Sequence, residues 1–170
     1  TQIVCHDLEF TEQVVEMEEA IAAEEELRQG DLELVKIAAW FHDTGYRDSY
    51  DDPQGASKVI ASSFLGEEGL PQEKIDKVLG SLQATKKGNT PQNDIEKVLV
   101  DARQGVVVGG DYKEYLKKLK KELLETKKLE QSEVESIQSY LETILKYEFH
   151  TVYGKENLLV ARDKLRGKLE

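Results

Sequence analysis

The stretch Ala38-Ala39-Trp40-Phe41-His42-Asp43-Thr44-Gly45-Tyr46 sets an apolar run directly against an adjacent imidazole and carboxylate, then a glycine turn. With Leu34 and Val35 ahead of it, the run is apolar nearly all round, which predicts a central buried helix ending at His42-Asp43. Periodicity and punctuation on either side predict about eight helical segments. The first is expected from about Asp7 to Gln29, on Leu8, Val14, Val15, Ala22 and Leu27, with Gly30 ending it and Asp31 capping the next. After a polar loop, Thr44 to Pro53, helices are expected from Gly55 to Leu65 and from Gln72 to Thr85, the second entered through Pro71. Another runs from Asp94 to Ala102 or a little beyond, before the run Gly105 to Gly110. The last three span Tyr112 to Lys128, Ser132 to Phe149 and Glu156 to Leu169, with Ser132 and Glu135 forming a capping box. Val106-Val107-Val108 has strand propensity but is too short to build a sheet. The expected fold is a single all-α domain over residues 1–170.

Composition agrees. Only three prolines interrupt 170 residues, and stretches rich in Glu, Lys, Leu and Ala favour helix. Apolar residues make up 39% and charged residues 34%, enough to bury a core in one domain. The net charge of -11 repels phosphate backbones and argues against general nucleic-acid binding. Cys5 is the single cysteine, so no intrachain disulfide forms, which fits a reducing compartment. No apolar run of about 20 residues is present to span a membrane, and no secretory signal opens the chain. The expected location is the cytoplasm and the expected partner a small molecule, with the oligomeric state left open.

Read as residues alone, His42-Asp43 supports two readings. Imidazole and carboxylate together at a buried helix end can share a divalent ion, or they can simply satisfy that helix end. The wider pattern favours the first. His42-Asp43, His6-Asp7-Leu8-Glu9 with Thr11, Ser57 with Ala61, Ala84-Thr85-Lys86, Pro91-Gln92-Asn93 and Val100-Asp101-Ala102 together resemble the HD superfamily of metal-dependent phosphohydrolases. The resemblance covers most of the chain and implies an HD-domain-like helical bundle. In that family a His, a His-Asp pair and an Asp hold one divalent metal, such as Mn, Mg, Zn or Fe, that activates water against a phosphoester. The resemblance implies His42, Asp43 and Asp101 as three of the ligands.

The fourth position departs from the pattern. Where the family places its first histidine, this chain has Phe10, whose ring has no lone pair to donate. His6 lies one helical turn earlier, about 5.4 Å away, and would reach a different place. Other departures gather round the same pocket: Asp52-Pro53-Gln54-Gly55-Ala56 after the loop, and Arg103-Gln104-Gly105-Val106-Val107 after Asp101-Ala102. This concentration implies a cavity emptied and made apolar for another purpose, by natural divergence or by deliberate redesign. The cofactor expectation is then none, or a divalent metal if the ligand set still works.

Three functions follow. In the leading one, Cys5 attacks an activated ester with His6 or His42 as base, in a metal-independent hydrolase. In the second, the chain is a metal-dependent phosphohydrolase acting on nucleotides or related phosphoesters. In the third, it binds a small ligand without catalysis. Phe10, Arg103 and Lys86 are the expected substrate-contacting residues in any of them.

Overall fold

The computed structural model describes residues 3–126, 140 and 142–167. Among these every regular element is helical, and the all-α expectation of about eight helices stands. The α-helices are Leu8–Glu24 (α1), Gln29–Phe41 (α2), Pro53–Glu67 (α3), Gln72–Ala84 (α4), Asp94–Gly109 (α5), Tyr112–Thr126 (α6) and Leu159–Arg166 (α7). A 3₁₀ turn, Thr44–Arg47, follows α2, and a π-helical turn, Gly154–Leu158, leads into α7. Residues 142–145 are helical too. The Ser132–Glu135 capping box and the first part of its helix lie outside the described residues. Among the described residues no helix is long and apolar enough to cross a membrane.

Capping sets several of the boundaries. Asp7 accepts a hydrogen bond from the Phe10 amide at 2.9 Å, and Asn93 accepts one from the Glu96 amide at 3.0 Å, which starts α1 and α5. The junction between α1 and α2 comes earlier than the glycine suggested. The chain turns at Glu26, with φ 51°, and at extended Arg28, so α2 begins at Gln29 and takes Gly30 and Asp31 into its first turn. Helix α5 continues through Gly105 to Gly109. A Cβ at Gly105 would lie 2.8 Å from Leu158, so the glycine admits a close crossing and is no helix break.

The core lies where α1, α2, α4 and α5 meet. Val14, Val35, Ala38, Val78, Leu82, Val98 and Leu99 are sealed from solvent there. Helix α2 is the central element expected, though Trp40 faces outward. Helix α3 packs on the 3₁₀ turn and on α4, and thereby fixes the segment that follows His42-Asp43. On α6 the buried line is Tyr115, Leu119 and Glu122, with the anticipated Tyr112, Leu116 and Leu123 half-buried beside it.

One core position carries a liability. Glu18 is buried, its Oε2 has no hydrogen-bond partner, and burial, aided by Glu19, raises its carboxyl to about 7. A carboxyl that keeps its proton in the fold but loses it on unfolding makes stability fall as pH rises from about 4.5 to 7, with the full cost present above 7. Glu18→Gln should therefore stabilise the protein by about 2–3 kcal/mol at pH 8.5 and by well under ~1 kcal/mol at pH 4.5. Urea unfolding of both proteins at the two pH values checks this. An equal effect at both would contradict it.

Candidate functional site

His42 ends α2, and its ring is fully buried. Nδ1 lies 2.7 Å from the Ala39 carbonyl, one turn back, so it donates there and Nε2 is turned toward Asp43 Oδ2 at 3.1 Å. This is the orientation of a metal-ligating imidazole, whose second nitrogen is held by a carbonyl. The segment beyond is pinned to α3: Gly45 N donates to Ser57 Oγ at 2.8 Å, and Ser57 Oγ donates to the His42 carbonyl at 3.3 Å. A Cβ at Gly45 would come 2.0 Å from the Pro53 carbonyl oxygen, so only glycine permits this approach.

The charge that faces Asp43 comes from α5. Arg103 Nε lies 3.6 Å from Asp43 Oδ1, with the Asp43 side chain 2% exposed and that of Arg103 15%. Burial pushes the Asp43 carboxyl up, but the charges of His42 and Arg103 outweigh it and hold the group well below the usual carboxylate range. Tyr46, Tyr115 and Tyr140 lie close enough to the guanidinium to feel its charge. Their hydroxyls are nevertheless pushed up, because burial dominates. Phe10 closes the centre from α1, its ring 6.1 Å from His42 and 5.8 Å from Tyr115, centroid to centroid. The expected juxtaposition of Phe10 and His42 is present.

Asp101 is occupied elsewhere. Its Oδ2 accepts from His150 N (2.9 Å), Thr151 N (2.8 Å) and Thr151 Oγ1 (2.7 Å), and its Oδ1 accepts from Tyr147 Oη (2.9 Å). These bonds turn the chain before the π-helical turn. They leave the carboxylate little capacity for an ion. Among the described residues no group of three or more His, Cys, Asp and Glu converges on one point. His42 and Asp43 make half of a metal site; Phe10, a saturated Asp101 and the Arg103 cation make the other half unsuitable. The donor set as it stands does not fit a divalent ion.

Cys5 and His6 belong to a structural knot. Glu122, fully buried on α6, accepts from the backbone amides of Val4 (2.9 Å), Cys5 (2.7 Å) and His6 (3.2 Å), and from Tyr50 Oη (2.9 Å). His6 Nδ1 pairs with it at 2.5 Å, and the His6 ring stacks on Tyr46 with centroids 3.7 Å apart. Burial raises the Glu122 carboxyl, but this ring of donors, His6 foremost, brings it down to about 2. The Cys5 thiol donates to the Tyr115 carbonyl, with sulfur and oxygen 3.9 Å apart, and hydrogen-bonds neither histidine. Burial, with the Glu122 charge next, pushes it up to about 12. A nucleophilic cysteine needs the opposite shift and a base within reach. The expected Cys–His pair is not assembled: His6 is committed to Glu122 and His42 faces Asp43.

Two clefts flank this centre. A cleft of about 530 Å³ between α1, α5 and α6 is floored by Cys5, Phe10, Met17, Val106, Tyr115 and Tyr153. A second, of about 220 Å³, brings Arg103 and Lys86 together with Lys87, Asn89 and His150, whereas Phe10, expected to contact the same substrate, lines the first cleft. Glu122 and Tyr115 went unremarked in the sequence. The available signal was a carboxylate at position 122, three residues after Leu119 on the packing face of α6.

No family model, curated protein or solved structure matches the chain.

The state of Cys5 can be read directly. Native protein at pH 8 should react with a disulfide reagent at least about a hundredfold more slowly than the same chain in denaturant. Rapid stoichiometric labelling of the folded protein would mean the thiol is exposed and activated.

Proposed function

We propose that the chain is an HD-type helical scaffold that has given up metal chemistry and binds a small, largely apolar molecule in the cleft beside Phe10. The observation that carries this reading is the position of Phe10. One side of its environment is His42, 6.1 Å away between ring centroids, and it also forms part of the floor of the 530 Å³ cleft. An aromatic ring thus stands between the remaining His-Asp pair and the cleft, where the HD resemblance expects a ligand histidine. The volume lies within the usual range for small-molecule sites, and an apolar floor with a polar rim is their common construction.

The rim narrows the ligand class. Glu9, Glu16, Asp111 and Glu114 line the opening, against the single cation Lys118. Lys118 is already paired with Asp7 and Glu9, at 3.4 and 2.9 Å. Such a mouth repels anions and accepts neutral or cationic amphiphiles. Phosphoester hydrolysis is disfavoured here, and so is acyl transfer through a thiol raised to about 12.

Gly109 offers a way to plug the cleft. It lines the opening, and a Cβ there would meet nothing within 4 Å. Nile red, a neutral apolar dye, should bind saturably with one site per chain. Gly109→Leu should weaken that binding about tenfold or more, for the loss of several apolar contacts, without lowering the unfolding midpoint. No saturable binding, or equal binding to the variant, would contradict the proposal. So would manganese-dependent hydrolysis of p-nitrophenyl phosphate.

A further inference from the structure

The floor and the mouth of the Phe10 cleft differ in chemistry. Three aromatic residues line it: Phe10 from α1, Tyr115 from α6, and Tyr153 from the stretch ahead of the π-helical turn. The Phe10 and Tyr115 ring centroids are 5.8 Å apart, with the planes 35° from parallel. The Tyr115 hydroxyl is hydrogen-bonded to that of Tyr140 at 2.8 Å, so Tyr115 offers the cleft its ring and no free hydroxyl. Aromatic faces carry partial negative charge and attract cations. Gly105 and Gly109 line the same cleft from α5 without side chains, and a Cβ at Gly109 would meet nothing within 4 Å. That leaves an open trough for a hydrocarbon chain.

The four carboxylates at the mouth are not equally committed. Glu9 holds Lys118 at 2.9 Å, and Glu114 faces Lys117 at 3.4 Å. Asp111 Oδ1 accepts from the amides of Lys113 and Glu114, at 3.0 and 3.3 Å, and so caps α6. Glu16 is exposed and forms no hydrogen bond or ion pair among the described residues. It lies two helical turns beyond Glu9 on the wall that α1 gives the cleft. An uncommitted carboxylate above an aromatic, apolar floor is complementary to a cation with a hydrocarbon body. A neutral molecule leaves that charge unused, and an anion is repelled by every acid of the mouth.

We infer that the Phe10 cleft selects a small organic cation, a single ammonium on an aliphatic body, with its head at Glu16 and its chain over Phe10, Tyr115 and Tyr153. This assignment rests on the reading of the cleft as a small-molecule site, and it narrows the ligand class from amphiphiles in general to amines. No bond is made or broken there; the event is binding alone.

Octylamine, octanol and octanoate share one chain and differ in the charge of the head, the amine being protonated at neutral pH as a lysine side chain is. Calorimetric titration of the full chain in dilute buffer should give one octylamine site, at least about tenfold tighter than octanol, with octanoate weaker still. Raising sodium chloride to about 0.5 M should shrink the amine-to-alcohol ratio to about threefold or less, because the mouth is open to screening. Glu16→Gln, at an exposed position, should cut that ratio at least about threefold in dilute buffer. Gly109→Leu should weaken octylamine about tenfold, as it does Nile red. Octanol binding as tightly as octylamine overturns the cation assignment while leaving the cleft a small-molecule site. A ratio unmoved by Glu16→Gln, or equal octylamine binding to Gly109→Leu, overturns it as well. If neither the series nor Nile red binds saturably, the reading of the cleft itself falls, and this assignment with it.

Discussion

Asp43 and Arg103 meet in the interior, and much of the molecule is arranged around that contact. Two opposite charges removed from water cost several kcal/mol each, and deleting one partner of such a pair typically costs ~3–5 kcal/mol. The contact persists because its surroundings are fixed from several directions. Ala39 orients His42, Ser57 holds the segment after Asp43, α5 delivers Arg103, and Phe10 with the tyrosines excludes solvent. The guanidinium neutralises a carboxylate whose natural tendency, once buried, is to take up a proton. The consequence for chemistry is direct. An arginine neutralises charge but offers no coordination position at which a water molecule could be bound and activated.

The other buried carboxylates show how differently one functional group can be used. Glu122 and Asp101 are each wrapped by backbone amides and hydroxyls, and each fastens a stretch of chain to a helix: the segment before α1 in one case, the turn before the π-helical stretch in the other. Glu18 has no such wrapping, and burial raises its carboxyl to about 7 instead. Burial is common to all of them. The number of donors within reach decides whether the group is an anchor, a counter-charge or a neutral acid.

Much of the architecture was legible in the residues. The apolar run ending at His42-Asp43 is the central helix, the helical periodicities hold across the described chain, and Phe10 lies against His42. Arg103 and Lys86, 17 residues apart in sequence, line one cleft. What escaped reading depended on partners distant along the chain. Nothing local shows that the acid at position 122 meets the amides of residues 4–6, or that this same acid raises the Cys5 thiol. Asp101 reads as a ligand from its neighbours, yet Thr151 and Tyr147, some fifty residues on, claim its oxygens. Gly105 reads as a helix stop because glycine weakens helices. Its use here, to admit Leu158, is visible only once α7 and the turn before it are in place.

The central claim is that a guanidinium, and no divalent ion, balances Asp43. Crystals grown in millimolar manganese and measured at the manganese absorption edge test it most directly. No anomalous peak is expected between His42 and Asp43, with Arg103 density directed at the Asp43 carboxylate. A strong peak within coordinating distance of His42 Nε2 and Asp43, with Arg103 displaced, would contradict it.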